Sequence, residues 1–278
     1  MSDLKERIER LFAAAGPAGD EHFAAFEELR RALDEGRVRA AEPGGDGAWR
    51  TNAWVKKGIL LGFRIGRIVH SEAGALRFAD KHTLPLRAAP PGARLVPGGS
   101  SLRDGCYIGK GVIAMPPCFV NIGAYVDDDT LIDSHALVGS CAQIGKRVHL
   151  SAGAQIGGVL EPVGSLPVIV EDDALVGGNS GVYEGAIVGR RAVLGAGTIL
   201  TGSTPVYDLV LGAVYRREGD RPLRIPPGAV VVPGARAVVE GKGREWNLSL
   251  YTPVIVKYRD EKTSESIQLE HLLRPPEE

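Results

Sequence analysis

Two carboxylates, one arginine and a few glycine pairs are the residues of this chain whose types and spacing could do chemistry. Asp133 directly follows an aliphatic residue, at a place where neighbouring segments mostly carry Gly or another turn former. A carboxylate there could take a proton from an amine or hold an ammonium group. Glu184, two residues after Val182, could do the same. Each also has a plainer reading: a turn Asp that bonds its own backbone, or a solvated Glu at a corner. Arg94, just before the Pro97-Gly98-Gly99 turn, could fork onto a substrate carboxylate because a guanidinium presents paired donors, though composition does not separate it from the other basic residues. His135 and His149 could act as acid and base or as metal ligands. The six histidines show no close helical pairing, so a zinc hydrolase or hydratase is not expected. Gly157-Gly158 and Gly177-Gly178 are explained first by tight turns, since a phosphate-cradling loop would have to open a helix and none is read there. Cys106, Cys118 and Cys141 are odd in number, lie in an apolar repeating region and match no zinc spacing; reduced, buried thiols are expected.

Elements that could position these groups come from a repeat. From Ile108, steps of six reach Ala114, Val120, Val126, Ile132, Val138, Ile144, Leu150 and Ile156. The residue after each is often Gly or a small polar turn former, as at Gly109, Asn121, Asp127, Asp133, Gly139, Gly145, Ser151 and Gly157. The frame breaks and resumes, shifted by two, at Val170, Val176, Val182, Val188, Leu194 and Leu200. Between the runs, Gly157 to Pro167 reads as a loop thrown out of the stack. Neither an amphipathic helix nor an ordinary strand holds a six-residue period for so long; the hexapeptide parallel β-helix does. Each hexapeptide supplies a short strand with its aliphatic side chain inward, and a turn whose first residue is expected to be small or to tolerate unusual backbone angles. Three faces close a coil, and stacked coils bury one aliphatic column.

The expected fold class is therefore mainly β: a parallel β-helix over residues 89–240, an N-terminal α-helical domain over 1–88 and a small C-terminal cap over 241–278. The N-terminal helices are expected at Leu4 to Ala15, Glu21 to Leu33 and Trp54 to Ile65, with a turn at Gly44 to Gly47. Ser249 to Lys257 is strand-like and Ile267 to Leu273 reads as a short helix. The charge balance, 33 basic against 34 acidic residues, draws the chain towards neither nucleic acid nor an anionic membrane. No apolar run approaches the ~18 residues of a spanning helix, and the opening Asp3, Lys5, Glu6 and Arg7 lack the apolar core of a signal peptide, so a cytoplasmic protein is expected.

The run Val120-Asn121-Ile122-Gly123-Ala124-Tyr125-Val126-Asp127, with Val138 to Lys146 and Val148-His149-Leu150-Ser151, resembles the tetrahydrodipicolinate N-succinyltransferase family. Gly157 to Pro162, Trp54 to Ile65, Ser249-Leu250-Tyr251 and Val254 to Lys257 are similar to it as well. The resemblance implies left-handed coiling and a homotrimer with active sites in the grooves between neighbouring prisms. It implies transfer of a succinyl group from succinyl-CoA, the co-substrate, to the amino group of an opened dicarboxylate acceptor in lysine and diaminopimelate biosynthesis, without a metal. By match to the family's motifs, Arg94 would bind a substrate carboxylate and Asp133 would hold and help deprotonate the amine, with Asn121, Leu150 and Ser151 lining the same pocket. A corner N–H such as that of Gly178 would stabilise the tetrahedral intermediate. The pantetheine arm would run under the ejected loop, with Lys242 or Lys257 near its phosphates. Two positions depart from the family pattern. His135 stands where it places Trp, and Gly181 where it places an acidic residue, leaving Glu184 as the nearest carboxylate for a catalytic role. The competing reading is a related CoA-dependent N-acyltransferase with an acetyl or succinyl donor and a different amino acid as acceptor.

Overall fold

The computed structural model describes residues 2–259, so the helix expected at Ile267 to Leu273 lies outside the described residues. The stepped aliphatic residues each fall second in a two-residue strand, as in Phe119–Val120, Tyr125–Val126 and Leu131–Ile132. With a side-chain period of two, the first residue of each pair faces out and the second in. Every stepped residue from Ile108 to Leu200 is buried, none more than 6% exposed. Val120 pairs in parallel with Val138, Val126 with Ile144 and Ile132 with Leu150, so three hexapeptides make one coil of a left-handed parallel β-helix.

The three faces are a first sheet through Val120, Val138, Ile156, Val182 and Leu200, a second through Val126, Ile144, Val170 and Val188, and a third through Ile132, Leu150, Val176 and Leu194. Across the ejected loop Ile144 pairs with Val170, so that coil carries eight extra residues, matching the frame shift. A second excursion is hidden from the sequence frame. Val188 pairs with Ile225 and Leu194 with Val231, so the stack continues beyond Leu200 after a detour that includes the hairpin Val206–Asp208 with Ala213–Tyr215. Both excursions leave from the corner between the first and second sheets.

The corners correct one expectation. Left-handed backbone falls on the third residue after most of the aliphatic ones, with φ between 52° and 76° at Gly111, Gly123, Asp129, His135, Cys141, Arg147 and Gly153. The first residue is small for a different reason, the close approach of the next coil. A Cβ on Gly177 would lie 2.5 Å from the Leu194 carbonyl oxygen, and one on Gly145 would lie 2.6 Å from the Asp172 nitrogen. The second residue's N–H is left over by the ladder, and side chains take it up. Asn121, Asp127 and Asp133 each accept from the residue that follows, while Lys110 and Lys146 donate to Asp128 and Asp172 of the next coil.

Helices α1 (Ser2–Ala13), α2 (Asp20–Asp34) and α3 (Ala53–Ile65) form at the three expected places. Leu4, Ile8, Leu11, Phe26, Leu29 and Ile59 make their shared core, joined by Ile122 and Cys141 from the prism. Between α2 and α3, β1 (Ala41–Pro43) and β2 (Trp49–Thr51) form a hairpin around the Gly44–Gly47 turn, and β3 (Ile68–Ala73) pairs with β4 (Leu76–Lys81) after α3. The segment from Arg39 to Trp49 covers the outside of the second sheet. The Arg39 guanidinium lies 3.6 Å from the Tyr125 ring centroid, and Trp49 Nε1 donates to Glu171 at 3.0 Å. At the far end, Ala229–Ala237 pairs antiparallel with Ser249–Tyr258, whose Ile255 closes the aliphatic column. No described helix is long and apolar enough to cross a membrane.

Candidate functional site

The corner between the third and first sheets brings Asp133, Ser151 and Gly178 together on successive coils. Asp133 N–H donates to the Leu150 carbonyl and Ser151 N–H to the Val176 carbonyl, both at 2.9 Å, so the two residues occupy equivalent places one coil apart. Asp133 is half-buried, and its Oδ1 accepts the Ser134 N–H at 2.7 Å. The turn role considered from the sequence is thus real, and it occupies only one of the two carboxylate oxygens. Further along this corner the coil residues are small, and the N–H groups of Ala152 and Gly178 have no acceptor among the described residues. Arg94 is exposed on a short strand that pairs with Ile113–Ala114, at the end of the same third sheet. Two strand spacings, about 10 Å, separate it from Leu131, a span that an arginine side chain largely covers.

Leu150 does not line a pocket with its side chain. It is fully buried in the aliphatic column, and only its backbone faces the corner. Asn121 does not share the Asp133 corner within one chain. Twelve residues, two hexapeptides, separate it from Asp133, so it stands at the corner between the first and second sheets. Its Oδ1 accepts the Ile122 N–H at 2.9 Å. Glu184 shares that corner, exposed and with φ 54°, and its Oε2 accepts the Gly202 N–H at 2.9 Å. It anchors the root of the second excursion.

Between the two excursions lies a cavity of about 1070 Å³, walled by Gly158, Val159, Ser165, Tyr183, Glu184 and Arg217 among others. Lys56, on α3, is buried and donates from Nζ to the Ser165 carbonyl at 2.6 Å, so the helical module holds the ejected loop in place. Burial pushes the Lys56 ammonium below its ordinary value, and burial pushes the neighbouring Cys141 thiol up to about 12. Sequence inspection passed over Lys56. Its signal was a lysine inside the apolar run Trp54 to Ile65. Lys242 lies on the exposed short helix Gly241–Glu245 and pairs with Glu245 at 2.5 Å, while Lys257 is exposed on the capping strand opposite Val230. His135 is exposed at a left-handed corner position, and Gly181 is buried on the first sheet. Among the described residues no three His, Cys, Asp or Glu side chains are grouped to hold a metal ion.

Residues 3–65 match the family model for the tetrahydrodipicolinate N-succinyltransferase N-terminal region, and residues 167–202 match that for the hexapeptide repeat of succinyl-transferase. The chain is 42% identical to the 2,3,4,5-tetrahydropyridine-2,6-dicarboxylate N-succinyltransferase of Dechloromonas aromatica, covering 99% of this chain and 97% of that one. It is also 42% identical to the enzyme of the same name from Sodalis glossinidius, covering 99% of each. Among solved structures, a Campylobacter jejuni chain described as a 2,3,4,5-tetrahydropyridine-2-carboxylate N-succinyltransferase aligns with TM-score 0.53 over 88% of this chain and 64% of that one. At 13% identity that likeness speaks for the fold alone.

Proposed function

The chain belongs to the 2,3,4,5-tetrahydropyridine-2,6-dicarboxylate N-succinyltransferase family, and from that membership we infer that the corner carrying Asp133 is where its acyl transfer takes place. The enzyme moves a succinyl group from succinyl-CoA to the amino group of tetrahydrodipicolinate, in the formation of diaminopimelate and lysine. The observation that carries the site is the juxtaposition at one corner of a half-buried carboxylate with one oxygen uncommitted and backbone N–H donors without acceptors.

Asp133 holds the acceptor's ammonium and takes its proton, which frees the nitrogen lone pair to attack the thioester carbonyl carbon. As the C–N bond forms, the carbonyl oxygen gains negative charge, and the Gly178 N–H donates to it. The C–S bond then breaks, the carbonyl re-forms as an amide, and the second proton shed by the nitrogen passes to the departing sulfur, which leaves as the CoA thiol. Arg94, at the end of the same sheet, binds a carboxylate of the acceptor in a forked pair. The pantetheine arm runs into the cavity under the ejected loop that Lys56 holds, and Lys242 and Lys257 at the cap attract the phosphates of CoA.

Asn121 and Glu184 stand one prism face away from Asp133, so in this reading they reach a site only across a groove from a neighbouring copy. Two features support a homotrimer with sites in those grooves. The second sheet is covered by the chain's own N-terminal module, while the first and third sheets turn apolar residues such as Phe119, Leu137, Leu175 and Val193 outward, each only partly buried. A soluble, cytoplasmic trimer would bury those faces.

Steady-state acyl transfer tests the reading, following released CoA thiol with succinyl- and acetyl-CoA each offered against tetrahydrodipicolinate and a panel of amino acids. Transfer from succinyl-CoA to tetrahydrodipicolinate is the expected outcome. The departures at His135 and Gly181 favour a second reading, a related N-acyltransferase with a changed acceptor or donor. Turnover confined to another amino acid would establish that reading in place of the first.

A further inference from the structure

Gly181 occupies an outward-facing place on the first sheet, equivalent to Phe119, Leu137, Gln155 and Ile199 on the other coils. It is buried although it has no side chain, and the group that buries it is Tyr183. A Cβ on Gly181 would lie 2.7 Å from the Tyr183 hydroxyl oxygen and 2.8 Å from Cζ, and a Cβ on Gly157 would lie 2.7 Å from Tyr183 Cδ1. The ring is thus laid back over its own strand, seated on two glycines of adjacent coils, with its hydroxyl end over residue 181. It fills the space where the family pattern implies an acidic side chain.

Three observations give this seat a use. Tyr183 walls the cavity of about 1070 Å³ between the two excursions, and it is half-buried. Its hydroxyl makes no hydrogen bond among the described residues, so a strong donor stands unused in a partly dry place. Gly178, whose N–H faces the thioester oxygen in the reading above, lies three residues before Gly181 on the same coil, no more than about 11 Å away along the backbone. A succinyl group entering the cavity by its thioester carries a free carboxylate two methylenes beyond the carbonyl. The neutral phenol over residue 181 can donate to it.

We propose that Tyr183 selects the acyl donor, its hydroxyl hydrogen-bonding the free carboxylate of the succinyl group. The proposal rests on the succinyl-CoA reading of this site. A hydrogen bond of this kind discriminates by being lost, because a donor without the carboxylate leaves the site's polar group unpaired.

The test compares kcat/KM for succinyl-CoA and acetyl-CoA, at fixed tetrahydrodipicolinate, in the full chain and in Tyr183→Phe, which keeps the ring on both glycines. Loss of a hydrogen bond to a charged group should lower succinyl-CoA kcat/KM by about 10- to 100-fold and leave acetyl-CoA kcat/KM within about twofold. An equal loss with both donors, as a purely structural ring would give, overturns the proposal, and so does no loss with either. Gly181→Ala supplies the second arm. It drives the ring from its seat but leaves the hydroxyl in the chain, so it should reduce the succinyl preference as Tyr183→Phe does; an undiminished preference counts against the proposal. Failure of the unmodified protein to use succinyl-CoA with tetrahydrodipicolinate is a separate result, which overturns the functional reading itself and this proposal with it.

Discussion

Replacing Asp133 by Asn separates the turn contact of its carboxylate from the base role proposed for it. Oδ1 accepts the Ser134 N–H at 2.7 Å and closes the corner, while the other oxygen is uncommitted among the described residues. Asparagine still offers an oxygen to Ser134, so the corner should persist and stability should change by no more than about 0.5 kcal/mol, as for a substitution that breaks no named contact. The negative charge and the proton acceptor disappear. Loss of a positioned general base costs about 10²- to 10⁴-fold in turnover, or roughly 3–5 kcal/mol in the barrier. Asp133→Ala removes both functions, so it should lose comparable turnover and in addition about 1 kcal/mol of stability through the stranded Ser134 N–H. Thiol release at saturating succinyl-CoA and tetrahydrodipicolinate gives kcat, and urea unfolding of the same samples gives stability. A folded Asp133→Asn enzyme that kept more than about a tenth of wild-type kcat would refute the base assignment, because even the weakest general base is worth more than that.

Arg94→Ala should raise the KM for the acceptor by about tenfold or more with little change in that for succinyl-CoA, and an unchanged acceptor KM would remove Arg94 from the site. Gly177→Ala would push a methyl group to 2.5 Å from the Leu194 carbonyl oxygen and 2.6 Å from the Ala196 nitrogen; as neither backbone atom can swing away, urea unfolding should register a loss of about 1–3 kcal/mol. Burial pushes the Cys106 and Cys141 thiols up to about 12, so a thiol reagent should label them only after unfolding, and fast labelling of the native enzyme would contradict their burial. Because burial also lowers the Lys56 pKa, there is a pH window, ending at the ordinary lysine value of about 10.4, in which the unfolded chain holds a proton that the folded chain has lost. Stability gains with rising pH across that window, and unfolding curves at stepped pH should show the gain shrink in Lys56→Met.

The aliphatic column was legible because burial recurs with a period of six, and every stepped position is buried. The ejected loop was legible as a frame shift. The second excursion was not, because beyond Leu200 the frame returns only as Leu223 to Ile225 and Ala229 to Val231, too short a run to announce itself. Left-handed backbone at the third corner residue was missed because non-glycine residues fill it in many coils: Asp129, His135, Cys141 and Arg147 all adopt it. That Asn121 and Asp133 lie on different corners had a signal in their spacing. Residues share a corner only when whole coils separate them, and the twelve residues between Asn121 and Asp133 fall one hexapeptide short. The Tyr183 seat had none, since nothing in a hexapeptide pattern says that one side chain folds back over another's place.

The prism gives each coil one short run of residues at each corner, so what a corner can do depends on what it is made of. Between the second and third sheets the coils alternate in sign, from Lys110 through Asp127 to Asp129, Lys146 and Arg147, Glu171 to Asp173, and Arg190 and Arg191. Lys146 meets Asp128 at 3.0 Å and Arg147 meets Asp173 at 2.6 Å, across coils. Such partly exposed pairs add little energy, but a slipped coil would set like charges together, so they penalise misregister. The corner between the first and second sheets expels the two excursions and thereby gains a cavity. The remaining corner has small residues on three of its coils beyond Asp133, in the runs Ser151-Ala152-Gly153, Gly177-Gly178-Asn179 and Gly195-Ala196-Gly197. Backbone donors can reach a thioester only where no side chain stands in front of them. That bareness, next to the carboxylate of Asp133, is why we propose this corner for the chemistry, with the other two holding the stack and the donor.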